Sequence, residues 1–152
     1  EMCRALLPAG LAGAAEHTIT CDSSPMRIPA QAPQCGHCTS CVLRRQALHA
    51  AGLGAYDPDS AYRHDVRTGQ AALSKDDVYD LEAMRGQVQR LEQTLASGDP
   101  WRSIKASFPE LARTGAELER YGGLAEAQVG AGFVRLFQTY VREWRRFMPQ
   151  SD

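Results

Sequence analysis

A mainly α fold is predicted by three features of this sequence. Four cysteines fall within the 21 residues Cys21–Cys41, apolar side chains recur every three or four positions from Leu81 onward, and no β-alternation is sustained after Cys41. Together they predict a small zinc-knuckle segment followed by a helical bundle of about four helices. The expected organisation is a zinc-binding unit over 1–56, a linker over 57–73 and the bundle over 74–152. Composition agrees with a globular chain: 152 residues, 43% hydrophobic and 23% charged, with 17 basic against 18 acidic side chains. The formal charge of −1 gives no electrostatic reason to expect a polyanion partner. No apolar stretch approaches the roughly 20 residues of a membrane span, so no membrane partner is expected and the expected location is cytoplasmic.

Residues 1–16 hold an apolar, small-residue stretch that makes a poor secretory leader, because Arg4 is its only basic residue and Pro8 and Gly10 interrupt it. A helix ending near Pro8 is the better reading. The chain opens on Glu1 with helix-like residues, which suggests a piece cut from a longer polypeptide whose catalytic half lies upstream. His17–Cys21 is short and β-branched and reads as a lone extended segment. Asp22–Gln34 carries Pro25, Pro29 and Pro33 and reads as a stiffened loop.

Cys35-Gly36-His37-Cys38-Thr39-Ser40-Cys41 follows, so with Cys21 the spacing is C-x13-C-x2-C-x2-C. Two residues between cysteines let both sulfurs of a tight turn face one point, Gly36 supplies backbone freedom, and the loop returns a fourth sulfur. Cys21, Cys35, Cys38 and Cys41 are therefore the candidate ligands of a tetrahedral zinc site. Such a site leaves no position for water or substrate, so its metal is structural. Three rivals stand beside zinc. A disulfide framework conflicts with the odd number of five cysteines, a redox CxxC needs a βαβ context that is not visible, and an iron–sulfur cluster normally has its further cysteine close downstream. His37 is expected to face solvent or a partner outside the ligand set, and Cys3 to be a small buried hydrophobe. His17, His49 and His64 are scattered singly, and no catalytic residue is assigned.

At Cys21 and across CGHCTSCVLRRQAL the sequence resembles the C-terminal part of the 7-cyano-7-deazaguanine synthases, the QueC-like enzymes. The resemblance covers about residues 17–52. It implies that Cys21, Cys35, Cys38 and Cys41 bind zinc and that Arg44, matching the basic residue after the last cysteine, contacts substrate. Members of that family convert the 7-carboxy compound to the nitrile with ATP and ammonia. They depend on an N-terminal nucleotide-binding domain with an S-G-G-x-D-S loop, and no such loop occurs in this chain; Gly122-Gly123 is a turn. The implied partner is an upstream ATP-binding domain of the same polypeptide, and this chain alone is expected to be inactive. Its long tail suggests a QueC-like paralogue of the sort found beside DNA-modification or anti-phage systems. The rival reading is a non-enzymatic zinc-knuckle and helical-bundle module that docks a protein partner.

Ser40–Ala51 is rich in helix formers and stops at Gly52, with Arg44 and Arg45 on its first turns; apart from a substrate role for Arg44, both are expected to solvate the helix or pair with nearby acids, a reading that suits Arg45 more than Arg44. Gly52–Gln70, with Asp57-Pro58-Asp59, Tyr56 and Tyr62, reads as a connector. Ser74 and Asp77 can cap a helix in which Leu81, Met84, Val88, Leu91 and Leu95 share a face, ending near Ser97-Gly98. Asp99-Pro100 starts another, with Trp101, Ile104 and Phe108, and Pro109–Tyr121 forms a third. The last, from about Ala125 to Met148, carries a stripe from Val129 to Phe147 that is better read as core than as partner surface. Arg142, Arg145 and Arg146 form the main basic cluster, but no exposed aromatic accompanies it, so nucleic acid is not expected as a partner.

Overall fold

The computed structural model describes residues 3–22, 33–68 and 73–148. Among the described residues the protein is mainly α, with no β-strand. Five α-helices are present: α1 (Thr39–Ala50), α2 (Lys75–Leu95), α3 (Pro100–Ser107), α4 (Pro109–Gly122) and α5 (Glu126–Phe147). The chain divides into two compact units, residues 1–84 with 145–152, and residues 85–144. No helix among the described residues is long and apolar enough to cross a membrane.

In the first unit, the segment before Pro8 makes a single 3-10 turn, Cys3–Leu6, and Ala12–His17 makes a second. Both pack on the far end of α1, where Ala15, Leu48, Ala51 and Leu53 form a small core with Cys3, Leu6 and Tyr56 partly buried against it. Cys3 is thus half-buried at the edge of that core. Gly52, with φ +77°, ends α1. Leu53 N–H reaches back to Leu48 C=O at 2.8 Å and Gly52 N–H to His49 C=O at 3.1 Å, so the last carbonyls are satisfied while Leu48 and Leu53 join one core. The Arg4 guanidinium adds a bond to Ala50 C=O at 3.1 Å.

At the start of α2, Ser74 and Asp77 cap reciprocally: Ser74 N–H donates to the Asp77 carboxylate at 3.3 Å, and Asp77 N–H donates to Ser74 Oγ at 3.2 Å. In the second unit, Asp99 accepts from Arg102 N–H at 3.1 Å and Pro100 occupies the first turn of α3. Gly123, at φ +64°, closes α4. The expected stripes mostly face the core here, but Leu136, placed on the last of them, is exposed. Val88, Leu91, Ile104, Val129, Val141 and Trp144 are buried. Trp101 stacks on Phe133 with ring centroids 5.3 Å apart, and Phe108 on Phe137 at 6.4 Å. The indole of Trp101 lies against the backbone of Gly130, where a Cβ would stand 2.7 Å from the ring.

Candidate metal centre

The knuckle gathers the four predicted cysteines. Cys21, Cys35, Cys38 and Cys41 are buried, and their sulfurs all lie within 4.8 Å of one another. Three short devices hold them. Thr20 N–H and Oγ bond the Gln34 side chain, each at 3.3 Å, which brings the end of the first extended stretch beside the turn. The amides of Cys35 and Cys38 point at the sulfurs of Cys21 and Cys35, each at 3.4 Å. Cys38 then serves as N-cap of α1, so Cys41 falls on the first turn with its side chain turned inward.

Gly36 turns at φ +88°, and a Cβ there would lie 2.0 Å from the carbonyl oxygen of His64. That close approach gives the glycine a second purpose beside the turn.

Four sulfurs each about 2.3 Å from one tetrahedral ion stand about 3.8 Å apart. Cys35 and Cys41 are 3.9 Å apart and all four sulfurs lie within 4.8 Å of one another, close enough to hold one ion. A multinuclear cluster binds its thiolates through different irons and spreads them further than a single shared centre does. None of the four is in a disulfide. Hydrogen bonds from Cys38 and Cys41 pull the Cys35 thiol well below the usual range, and donation of the Cys41 proton to its neighbours pushes that thiol up. The donor set, four thiols with amide N–H groups aimed at the sulfurs, is compatible with zinc. With every position supplied by protein, the centre can hold its surroundings together but has no place to activate water.

His37 points neither to the sulfurs nor to open solvent. Its Nε2 is 3.4 Å from the Asp77 carboxylate, and its ring meets that of His64 edge-on at 5.7 Å. Burial, then the nearby His37, lowers the His64 pKa. Asp77 is held below the usual carboxylate range, chiefly by its bond from Ser74.

Arg44 turns inward. Nε donates to Tyr62 Oη at 3.1 Å, Nη1 to Thr18 Oγ at 2.5 Å and Nη2 to Ala15 C=O at 2.6 Å, so all three nitrogens have protein partners. It borders a cleft of about 340 Å³ that Ile19, Gln34, Tyr56 and Pro58 also line. Arg45 is 2% exposed and meets Asp57, Asp59 and Asp65, with its guanidinium 4.3 Å over the Tyr62 ring. Arg67 grips Asp65 with two parallel bonds of 2.8 and 2.7 Å and also reaches Asp59 at 2.6 Å. Tyr62 donates to Asp57 at 2.7 Å, and burial, then this bond, pushes the Tyr62 phenol well above its usual pKa.

Asp57, Asp59, Tyr62, Asp65 and Arg67, which lie in the expected connector, also reach this neighbourhood. One signal was present: an Arg44-Arg45 pair followed by three aspartates over 57–65. Of the residues singled out, the structure brings Cys21, Cys35, Cys38, Cys41, His37 and Arg44 into one neighbourhood, whereas Cys3 packs with the other core of this unit. No family model matches the chain, and neither a curated protein nor a solved structure matches it.

Proposed function

We propose that this chain is the zinc-bearing, non-catalytic portion of a QueC-like ATP-dependent enzyme acting on a deazapurine or related substrate, with zinc in a structural role. One observation carries the structural role: four buried thiols, all from protein, converge to single-ion spacing. The enzyme family rests on the cysteine run and the Arg44 that follows it. In this reading Arg44 serves the substrate by bracing the cleft wall through Ala15, Thr18 and Tyr62. When bound, zinc supplies cohesion to a polar, proline-rich segment that has little apolar surface to bury, since metal binding and folding are coupled in such sites.

Metal analysis with an absorption spectrum tests the centre: one zinc per chain and no visible absorption is expected, and stoichiometric iron with thiolate-to-iron bands would overturn it. The enzyme reading is tested by assaying ATP-dependent nitrile formation from the 7-carboxy compound. The chain alone should be inert, and the polypeptide including its upstream region should be active. An upstream coding sequence without S-G-G-x-D-S would sink that reading.

A second reading, a zinc-knuckle and helical-bundle protein-interaction module, is favoured by apolar exposure on the second unit, where Tyr121 is 76% and Leu136 57% exposed. An initiating Met directly before Glu1 would favour it over the first.

A further inference from the structure

We propose that the segment Asp57–Val66 is a latch whose docking and the binding of the ion are reciprocally coupled, so that each strengthens the other. The inference rests on the single-ion reading above. Four sets of contacts tie this segment to the ligand-bearing turn. Backbone bonds run from Arg63 N–H to Gln34 C=O at 2.9 Å and from His64 N–H to Cys35 C=O at 3.1 Å, so one is made to a ligand residue itself. The His64 carbonyl fills the space that a side chain at Gly36 would take. The Tyr62 ring is a member of the buried cluster formed by the four cysteines.

The fourth set is ionic. Arg44 and Arg45 leave α1 within one turn of Cys41 and reach Asp57, Asp59 and Asp65 of the segment. A guanidinium as buried as Arg45 is tolerated only while its acids are in place. Those acids meet it only if the start of α1 is fixed against the turn carrying Cys35 and Cys38. Four sulfurs on one ion impose that arrangement, and close-set thiolates without one repel. Whatever stabilises the docked latch must by the same linkage tighten the metal site.

The experiment uses the full chain, zinc-loaded and stripped by a chelator, with amide hydrogen exchange read along the sequence. Stripping should speed exchange over 57–66, the Arg63 and His64 amides included, by about tenfold or more. Exchange in α3 and α4 should hold. Unchanged protection over 57–66, or its loss in step with both of those helices, would overturn the latch. The reciprocal arm measures zinc affinity by competition with a chromogenic chelator: Asp57→Ala, which touches no cysteine, should bind about tenfold more weakly. Tyr62→Phe, removing one hydroxyl, should shift affinity the same way by a smaller factor and decides the matter if Asp57→Ala fails to fold. Unaltered affinity in a folded variant refutes the coupling. Cobalt(II) substitution separates the two failures. Absent thiolate-to-cobalt bands mean the metal reading has failed, whereas present bands with unchanged 57–66 exchange mean that only the latch has.

Discussion

The two compact units rely on different interactions. In residues 85–144 the buried set is aliphatic and aromatic, and the one buried polar side chain among the described residues, Thr94, is satisfied by Leu91 C=O. In the first unit four cysteines occupy core positions, and Gln34, Arg45, Gln46 and Asp57 are buried beside Val42 and Leu53. Losing one apolar side chain costs roughly in proportion to the surface and cavity it leaves. A network of thiols and charges is cooperative, because removing one member leaves the others desolvated and unpaired. A short, polar stretch is thus ordered by a few directional contacts where hydrophobic area is scarce.

The largest effect should come from the thiols. Cys41→Ser, which removes one of the four candidate ligands, should destabilise the first unit by on the order of several kcal/mol while α3 and α4 retain their helicity, a separation that calorimetry and segment-resolved exchange would show. A single transition carrying both units would show that they do not rely on separate interactions. Next, Ile104→Ala should cost the second unit about 2–5 kcal/mol in denaturant melts, with zinc stoichiometry unchanged.

Gly130→Ala should cost about 1–3 kcal/mol, because the new methyl meets the Trp101 ring rather than a flexible chain end. Gly132→Ala, two residues along the same helix with open space around it, should instead stabilise by about 0.5–1 kcal/mol. Thermal melts of the pair should move in opposite directions. Asp99→Ala removes the α3 cap and should cost about 1 kcal/mol.

The smallest effect concerns acid. Hydrogen bonds from Arg67 hold the Asp65 carboxyl below the usual range. A carboxyl with a lowered folded-state pKa contributes stability that is fully present above its unfolded value, near about 4, and lost as pH falls through the lowered one. Asp65→Asn should therefore flatten the acid limb of the stability profile of the first unit and leave its neutral value lower.

Legibility in the sequence follows the same division. Leu81, Met84, Val88 and Leu91 share a face because helix geometry is local, and Ser74, Asp99, Gly52 and Gly123 mark termini through their own backbone chemistry. The cysteine spacing was legible because two intervening residues already constrain where both sulfurs point. Asp57, Asp59 and Tyr62 read instead as turn and connector residues. Their partners Arg44 and Arg45 lie 12 or more positions away, and only the return of the chain over Gly36 brings them together. His37 and Asp77, 40 positions apart, meet for the same non-local reason.

The two tryptophans of the sequence, Trp101 and Trp144, both belong to residues 85–144. Indole emission therefore reports chiefly on residues 85–144. A denaturation curve followed at the tryptophan wavelength would trace the aromatic bundle, and a chain depleted of zinc would give nearly the same curve as an intact one. Only a probe placed on Tyr62 or on the cysteines would see the event that matters to the knuckle.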